Sequence, residues 1–230
     1  MHFRHSPDIW RDFPELVPGV LFAEGTGPDV DVAARIAPFQ AIAEARLAGV
    51  SEGELPEIQA WRRAFSRMGL KPTQYRCASE ALLRRFKREG SLPQVHPLID
   101  LCNAISLAFA IPVAVFDLSE IAEYIEVRYA VGDETFLTFS GETERPDAHE
   151  VIFADNAGRA HARRWTNRQG GYSAVRDTTT AILIVAEAMH GSASADVQRL
   201  TAALADELNI TWSVTPRTTI LSRSSPRFEF

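Results

Sequence analysis

Cysteine is almost missing from this 230-residue chain, and the two present, Cys77 and Cys102, supply neither a disulfide framework nor a four-ligand zinc site. Long apolar runs are missing as well. The longest, Ala104 to Phe116, holds 13 residues broken by Ser106 and Pro112, well short of the roughly 20 needed to cross a bilayer. The first ten residues carry His2, Arg4, His5 and Asp8 with no apolar stretch behind them, so no secretion signal is read there. With so few thiols and no span, the expected setting is cytoplasmic, without membrane partners. Also absent are G-x-x-x-x-G-K-[ST], G-x-G-x-x-G, H-E-x-x-H and G-x-S-x-G, which removes the usual anchors for nucleotide, zinc-protease and α/β-hydrolase chemistry. The six histidines are scattered, so the sequence predicts no metal and no cofactor.

Basic charge is in the minority, 24 Lys and Arg against 30 Asp and Glu for a net charge of −6, and that balance, taken whole, argues against a nucleic-acid binder and leaves no DNA partner expected. It is unevenly distributed. Residues 61–90 hold nine basic and two acidic side chains, and a second concentration comprises Arg159, Arg163, Arg164, Arg168 and Arg176. Such asymmetry in an acidic chain points to an anionic partner at one place, or to solvated helix faces paired with acids from elsewhere in the fold.

What the chain has in ordinary measure is the composition of a globular protein, 46% hydrophobic and 23% charged. There is no repeat, low-complexity tract or linker, so one domain over 1–230 is expected. A short strand is predicted around Gly19 to Glu24. Helical spacing of apolar residues predicts helices over Val30 to Ala48, from Pro56 to Gly69, from Cys77 or Ala78 to Gly90, and from Pro97 through Ala110. Thereafter the period shortens. Val113 to Phe116, Ile125 to Tyr129, Thr135 to Phe139, Val151 to Ala154, Ala160 to Trp165 and Ala181 to Val185 read as strands, and Ala195 to Leu208 as a closing helix. Helices early and strands late give an α+β fold with a mixed or antiparallel sheet flanked by helices.

One constellation is specific. Met68-Gly-Leu-Lys-Pro-Thr-Gln-Tyr-Arg-Cys-Ala-Ser-Glu-Ala-Leu-Leu-Arg-Arg85 is followed by Leu92-Pro93, Asp100-Leu-Cys-Asn103 and Pro112-Val-Ala-Val-Phe-Asp117. A second half runs from Asp155 through Arg164-Trp165-Thr-Asn-Arg168-Gln-Gly-Gly171 to Ala181–Ala188. Together these resemble the B3/B4 domain, otherwise a part of the β subunit of bacterial phenylalanyl-tRNA synthetase and also found as stand-alone copies. The resemblance covers about 15–190, leaving a helix and tail over 191–230. A complete synthetase needs modules for which 230 residues leave no room, so aminoacylation is not expected.

The resemblance implies an editing pocket that hydrolyses wrongly charged tRNA, hence a trans-acting aminoacyl-tRNA deacylase whose partner is the aminoacylated 3′ end. The alternative is a non-catalytic tRNA-binding or amino-acid-sensing module of the same fold. An activated ester can be cleaved by a positioned water and oxyanion stabilisation without a protein nucleophile, and no catalytic residue is assigned. Carried over residue by residue, the implied substrate-binding positions are Arg76, Ser79, Glu80, Asn103, Asp117, Gly170, Gly171 and Glu187. For each a structural role competes: capping and ion pairing at Arg76, Ser79 and Glu80, strand bridging at Asn103, a plain turn at Gly170 and Gly171. Arg84, Arg85, Lys87, Arg88, Arg164 and Arg168 are the implied tRNA track, although cations in a last helical turn also complement the helix dipole. Two departures stand out. Ala114 replaces a histidine of the synthetase motif, and the acidic residue expected at Val185 appears two positions later as Glu187, on the same strand face. In the synthetase that acidic residue recognises a tyrosine hydroxyl, so the sequence departs from the family pattern at the position that sets tyrosine specificity.

Overall fold

The computed structural model describes residues 1–230 and folds them into two sheets and six helices. In chain order the elements are β1 (His2–His5), α1 (Pro7–Asp12), β2 (Val17–Glu24), α2 (Ala33–Leu47), α3 (Pro56–Arg67), α4 (Ala78–Glu89), α5 (Pro97–Phe109), β3 (Val113–Asp117), β4 (Tyr124–Tyr129), β5 (Thr135–Leu137) and β6 (Thr143–Glu144). There follow β7 (Val151–Ala154), β8 (Arg159–Arg163), β9 (Arg168–Gln169), β10 (Ala181–Ala188), α6 (Ala193–Trp212), β11 (Arg217–Ile220) and β12 (Arg227–Glu229). The fold class is α+β.

Local chemistry explains where the helices stop and start. Pro56 and Pro97 open α3 and α5 at positions where the missing N–H is not needed. Gly90 ends α4 at φ 74°, a left-handed conformation that glycine takes without a Cβ penalty. In α3, the buried residues Ile58, Trp61, Ala64 and Phe65 recur at helical spacing, leaving Arg63 and Arg67 outward.

A larger, mixed sheet runs β12-β1-β4-β7-β8-β5-β6, with β9 added to β8; a smaller, antiparallel one runs β11-β2-β10-β3. The strand β10 divides the interior. Leu183 and Val185 belong to the larger apolar cluster, which includes Trp61, Phe65, Phe116, Phe153 and Trp165. Their neighbours Ile182, Ile184, Ala186 and Ala188 belong to a second cluster formed with α5 and α6. Since side chains alternate along a strand, Glu187 falls on the Leu183–Val185 side.

Several sequence expectations are corrected. Strand β10 runs three residues past Val185 to Ala188, and the closing helix extends to 20 residues. The strand expected over Ala160 to Trp165 ends at Arg163, because Arg164 and Trp165 adopt φ 47° and 59° and turn the chain. Phe139 lies outside β5 and is 74% exposed. Strands β1 and β12 were not legible: they pair with each other and close one edge of the larger sheet through β4.

Candidate functional site

Between the inner faces of the two sheets lies a cavity of about 50 Å³. Val113 and Ala114 of β3, Val185 and Glu187 of β10, and Phe153 and Ala162 of β7 and β8 form its walls; Ala78, Pro112, Trp165, Thr166, Asn167 and Gln169 complete it. Among the lining residues Glu187 is the single ionisable one.

Glu187 is 1% exposed, and its carboxylate is held from two directions. Trp165 Nε1 donates at 3.0 Å to Oε1 and at 3.0 Å to Oε2. His5 Nε2, from β1, stands 2.7 Å from Oε1. The backbone carbonyl of the same residue accepts from Trp61 Nε1 at 3.2 Å. A carboxylate offers about four acceptor directions, so capacity remains on Oε2. The buried carboxylate is thus fixed by two aromatic ring nitrogens, those of Trp165 and His5, while still able to accept a further hydrogen bond.

The segment facing it is strained and tied down. Arg164 and Trp165 are consecutive non-glycine residues in the left-handed region, which costs about 1–3 kcal/mol each and persists where the surroundings enforce it. Trp165 N–H donates to the Val151 carbonyl at 2.7 Å, Ala78 N–H to the Thr166 carbonyl at 2.7 Å, and Asn167 Nδ2 to the Arg76 carbonyl at 2.7 Å. Gln169 Nε2 donates to the Val115 carbonyl at 2.6 Å. The Trp165 indole packs edge-on against Trp61 and Phe13.

Of the residues singled out in the sequence, Glu187 lines the cavity, and Arg76 borders it through its carbonyl. Glu80 is fully buried and paired with Arg62 at 2.6 Å and Arg76 at 3.4 Å. Ser79, also fully buried, lies 3.4 Å from the Cys77 sulfur. These two form an internal brace at the start of α4. Asn103 stands apart: it is half-buried in a separate groove with Asp100, Ile36 and Gln40, between α5 and α2. Asp117 accepts from Thr179 Oγ1 at 2.5 Å and from the Ser119 N–H at 3.0 Å, pinning the loop that leads into β10. Gly170 and Gly171 face β5 rather than the cavity. A Cβ on Gly170 would meet Phe136 Cε2 at 2.7 Å, and one on Gly171 the Thr138 carbonyl at 3.1 Å, so their lack of a side chain serves strand packing.

The cationic track is mostly spoken for. Arg84 pairs with Glu52 at 2.9 Å, Lys87 with the same residue at 4.0 Å, Arg85 with Glu89 at 2.8 Å and Arg88 with Glu89 at 2.5 Å. Arg168 pairs with Glu144 at 2.8 Å, and Arg164 lies over the Tyr75 ring at 4.9 Å. A second basic groove, of about 580 Å³, lies on the outer side of α3, where Arg62, Arg63 and Arg67 stand with Gln59, Ser66, Glu15 and Pro72; here too Arg62 is paired with Glu80 and Arg67 with Glu15, while Arg63 makes no ion pair.

Both thiols are inert in the folded state: burial pushes Cys77 and Cys102 up to about 12. Sequence reasoning missed a Ser–His–Asp array because its members come from three segments. Ser173 Oγ is 2.9 Å from His161 Nδ1, and His161 Nε2 is 3.3 Å from Asp155. Ser173 and His161 are fully buried and Asp155 is 2% exposed, which closes the array to any substrate. Burial alone would raise the Asp155 carboxyl, but hydrogen bonds from His161, from the Arg159 backbone and side chain and from the Ala122 N–H outweigh it and hold the group well below the usual carboxylate range.

The family described as "B3/4 domain" matches residues 60–206. Over 103 residues the chain is 34% identical to the phenylalanine–tRNA ligase β subunit of Coxiella burnetii, covering 45% of this chain and 13% of that protein. Over 116 residues it is 27% identical to the same subunit of Shewanella oneidensis, covering 50% and 14% respectively. The chain therefore spans a small part of the length of these relatives. It is also similar in structure to an N-terminal fragment of the phenylalanyl-tRNA synthetase β subunit from Pyrococcus horikoshii, with a TM-score of 0.46, 10% identity, and coverage of 94% of this chain and 50% of that one. Since the family's match at residues 60–206 takes in more than half of the sequence, the chain belongs to the B3/4 domain family.

Proposed function

We propose that this chain is a trans-acting aminoacyl-tRNA deacylase that hydrolyses the ester between an amino acid and the 3′ end of tRNA. The observation that carries the reading is the inter-sheet cavity whose one ionisable wall residue is the held carboxylate of Glu187. In this reading Glu187 Oε2 accepts from the amino acid, orienting the ester while a water attacks its carbonyl; the products are free amino acid and tRNA. No lining residue is a cysteine, histidine, serine or lysine, in keeping with a positioned water rather than a covalent intermediate. Glu187, Trp165, Thr166, Asn167 and Gln169 are the substrate-facing parts, and on the outer side of α3 Arg63, which makes no ion pair, faces the phosphates beside the paired Arg62 and Arg67.

At about 50 Å³ the cavity is far below the roughly 300–1,000 Å³ of sites that enclose drug-sized ligands. It fits a small side chain with its carbonyl end; an aromatic ring requires the Arg164–Trp165 turn to move. The test is single-turnover release of amino acid from a panel of mischarged tRNAs bearing small and aromatic residues. Release is expected, fastest from the small ones. A second reading, a non-catalytic amino-acid-binding module, draws on the acid-paired cations of α4, and takes over if wild type releases nothing from any charged tRNA.

A further inference from the structure

Folding brings one of the scattered histidines against two carboxylates from distant segments. His190 follows β10 by two residues, Asp196 sits in the first turn of α6, and Glu57 in the first turn of α3. One donor atom of each lies within 4.8 Å of the other two. All three residues are at most 9% exposed. His190 Nε2 is 2.9 Å from Asp196 Oδ2; ligand atoms around a tetrahedral zinc, each about 2.0–2.2 Å from the metal, stand roughly 3.3 Å apart.

Two atoms of this cluster are orphaned: Glu57 Oε2 and His190 Nδ1 are buried without any hydrogen-bond partner. A buried carboxylate oxygen lacking a donor is uncommon and carries a desolvation penalty. Its twin, Oε1, is held by Arg46 at 2.8 Å. Likewise Asp196 Oδ1 is paired with Arg199, while Oδ2 takes Ser192 Oγ at 2.5 Å. Arg46 thus grips one oxygen of Glu57 and leaves Oε2 without a donor, and Arg199 grips one oxygen of Asp196 and leaves Oδ2 to His190 and Ser192, as supporting partners do around ligating carboxylates. The Arg199 side chain is 71% exposed, so water screens most of its charge.

We propose that Glu57, His190 and Asp196 bind a divalent transition-metal ion, with zinc the best match to one imidazole and two carboxylates, and with a water in the fourth position. Binding places the metal on His190 Nε2, Glu57 Oε2 and Asp196 Oδ2, with the single proton of the neutral ring carried on Nδ1. The ion braces the back of the cavity. Trp61, which donates to the Glu187 carbonyl, lies one turn after Glu57 on α3, and His190 lies three residues after Glu187.

The test titrates the full chain, stripped with chelator, with zinc chloride and separately with calcium chloride by calorimetry. Expected are one equivalent of zinc, no comparable calcium binding, and affinity lowered roughly tenfold or more in Glu57→Gln and in His190→Gln. Cobalt(II) added to wild type alone should give the intense visible bands of a four- or five-coordinate site, which keeps the test decisive should a variant fail to fold. Absence of saturable zinc binding overturns the proposal. So does zinc uptake unchanged in Glu57→Gln, which would belong to surface groups such as the exposed His149.

Discussion

Trp165 and Glu187 come from opposite walls of the inter-sheet cavity, and one indole N–H is shared between both carboxylate oxygens at 3.0 Å each. That contact joins a left-handed turn to the end of β10, so the strain at Arg164 and Trp165 and the burial of Glu187 stabilise one another.

Replacing Glu187 with leucine strands the His5 and Trp165 donors in the core. Breaking a buried pair from one side typically costs about 3–5 kcal/mol, so Glu187→Leu is expected to lose that much in urea unfolding. Glu187→Gln keeps an acceptor and should lose clearly less; equal losses would show that charge, not acceptance, is what the site needs.

At the glycine turn the expected effect is on stability. A Cβ at Gly170 would stand 2.7 Å from Phe136 and 3.1 Å from the Leu137 carbonyl, an overpacking of the kind that costs about 1–3 kcal/mol. Gly170→Ala should lower the melting temperature while leaving KM for any charged tRNA unchanged. A raised KM with wild-type stability would return these glycines to the substrate.

Asp155 should impose an acid limit. Its carboxyl is held low in the folded state, so its stabilising contribution is complete above its ordinary value near 3.8 and is lost as pH falls through that value toward the lower folded one. Unfolding free energy followed from pH 7 downward should therefore fall more steeply in wild type than in Asp155→Asn, which is less stable at pH 7 by about 1–3 kcal/mol. Parallel pH profiles would remove Asp155 from the acid response.

The thiols give a test of mechanism. With Cys77 and Cys102 pushed up to about 12 by burial, neither forms thiolate at neutral pH, and both should resist iodoacetamide until the chain unfolds. Cys77→Ala should retain amino-acid release; a folded but inactive Cys77→Ala would require a covalent step.

Much of this was legible in the sequence because it is local. Pro56, Gly90 and Pro97 mark helix ends through their own backbone preferences, and the three- and four-residue spacing of Ile58, Trp61 and Phe65 names the buried face of α3. Alternation placed Glu187 on the face of Val185, and burial follows from that face turning toward the larger sheet. The sequence by itself thus determined the main helices, the strands from β3 to β10 that carry the cavity apart from the short β6 and β9, the inward faces of α3 and β10, and the family. Tertiary structure alone decided which charges are free, since the partners of Arg84, Arg62 and Arg163 come from 32, 18 and 13 residues away. It also decided that Gly170 serves Phe136, that Asn103 lies in another groove, and that His5 reaches Glu187 across 182 residues of chain. The reason is physical: propensity and periodicity act over a turn or a strand, whereas ion pairing, close packing and carboxylate burial depend on neighbours that only the closed sheets bring together.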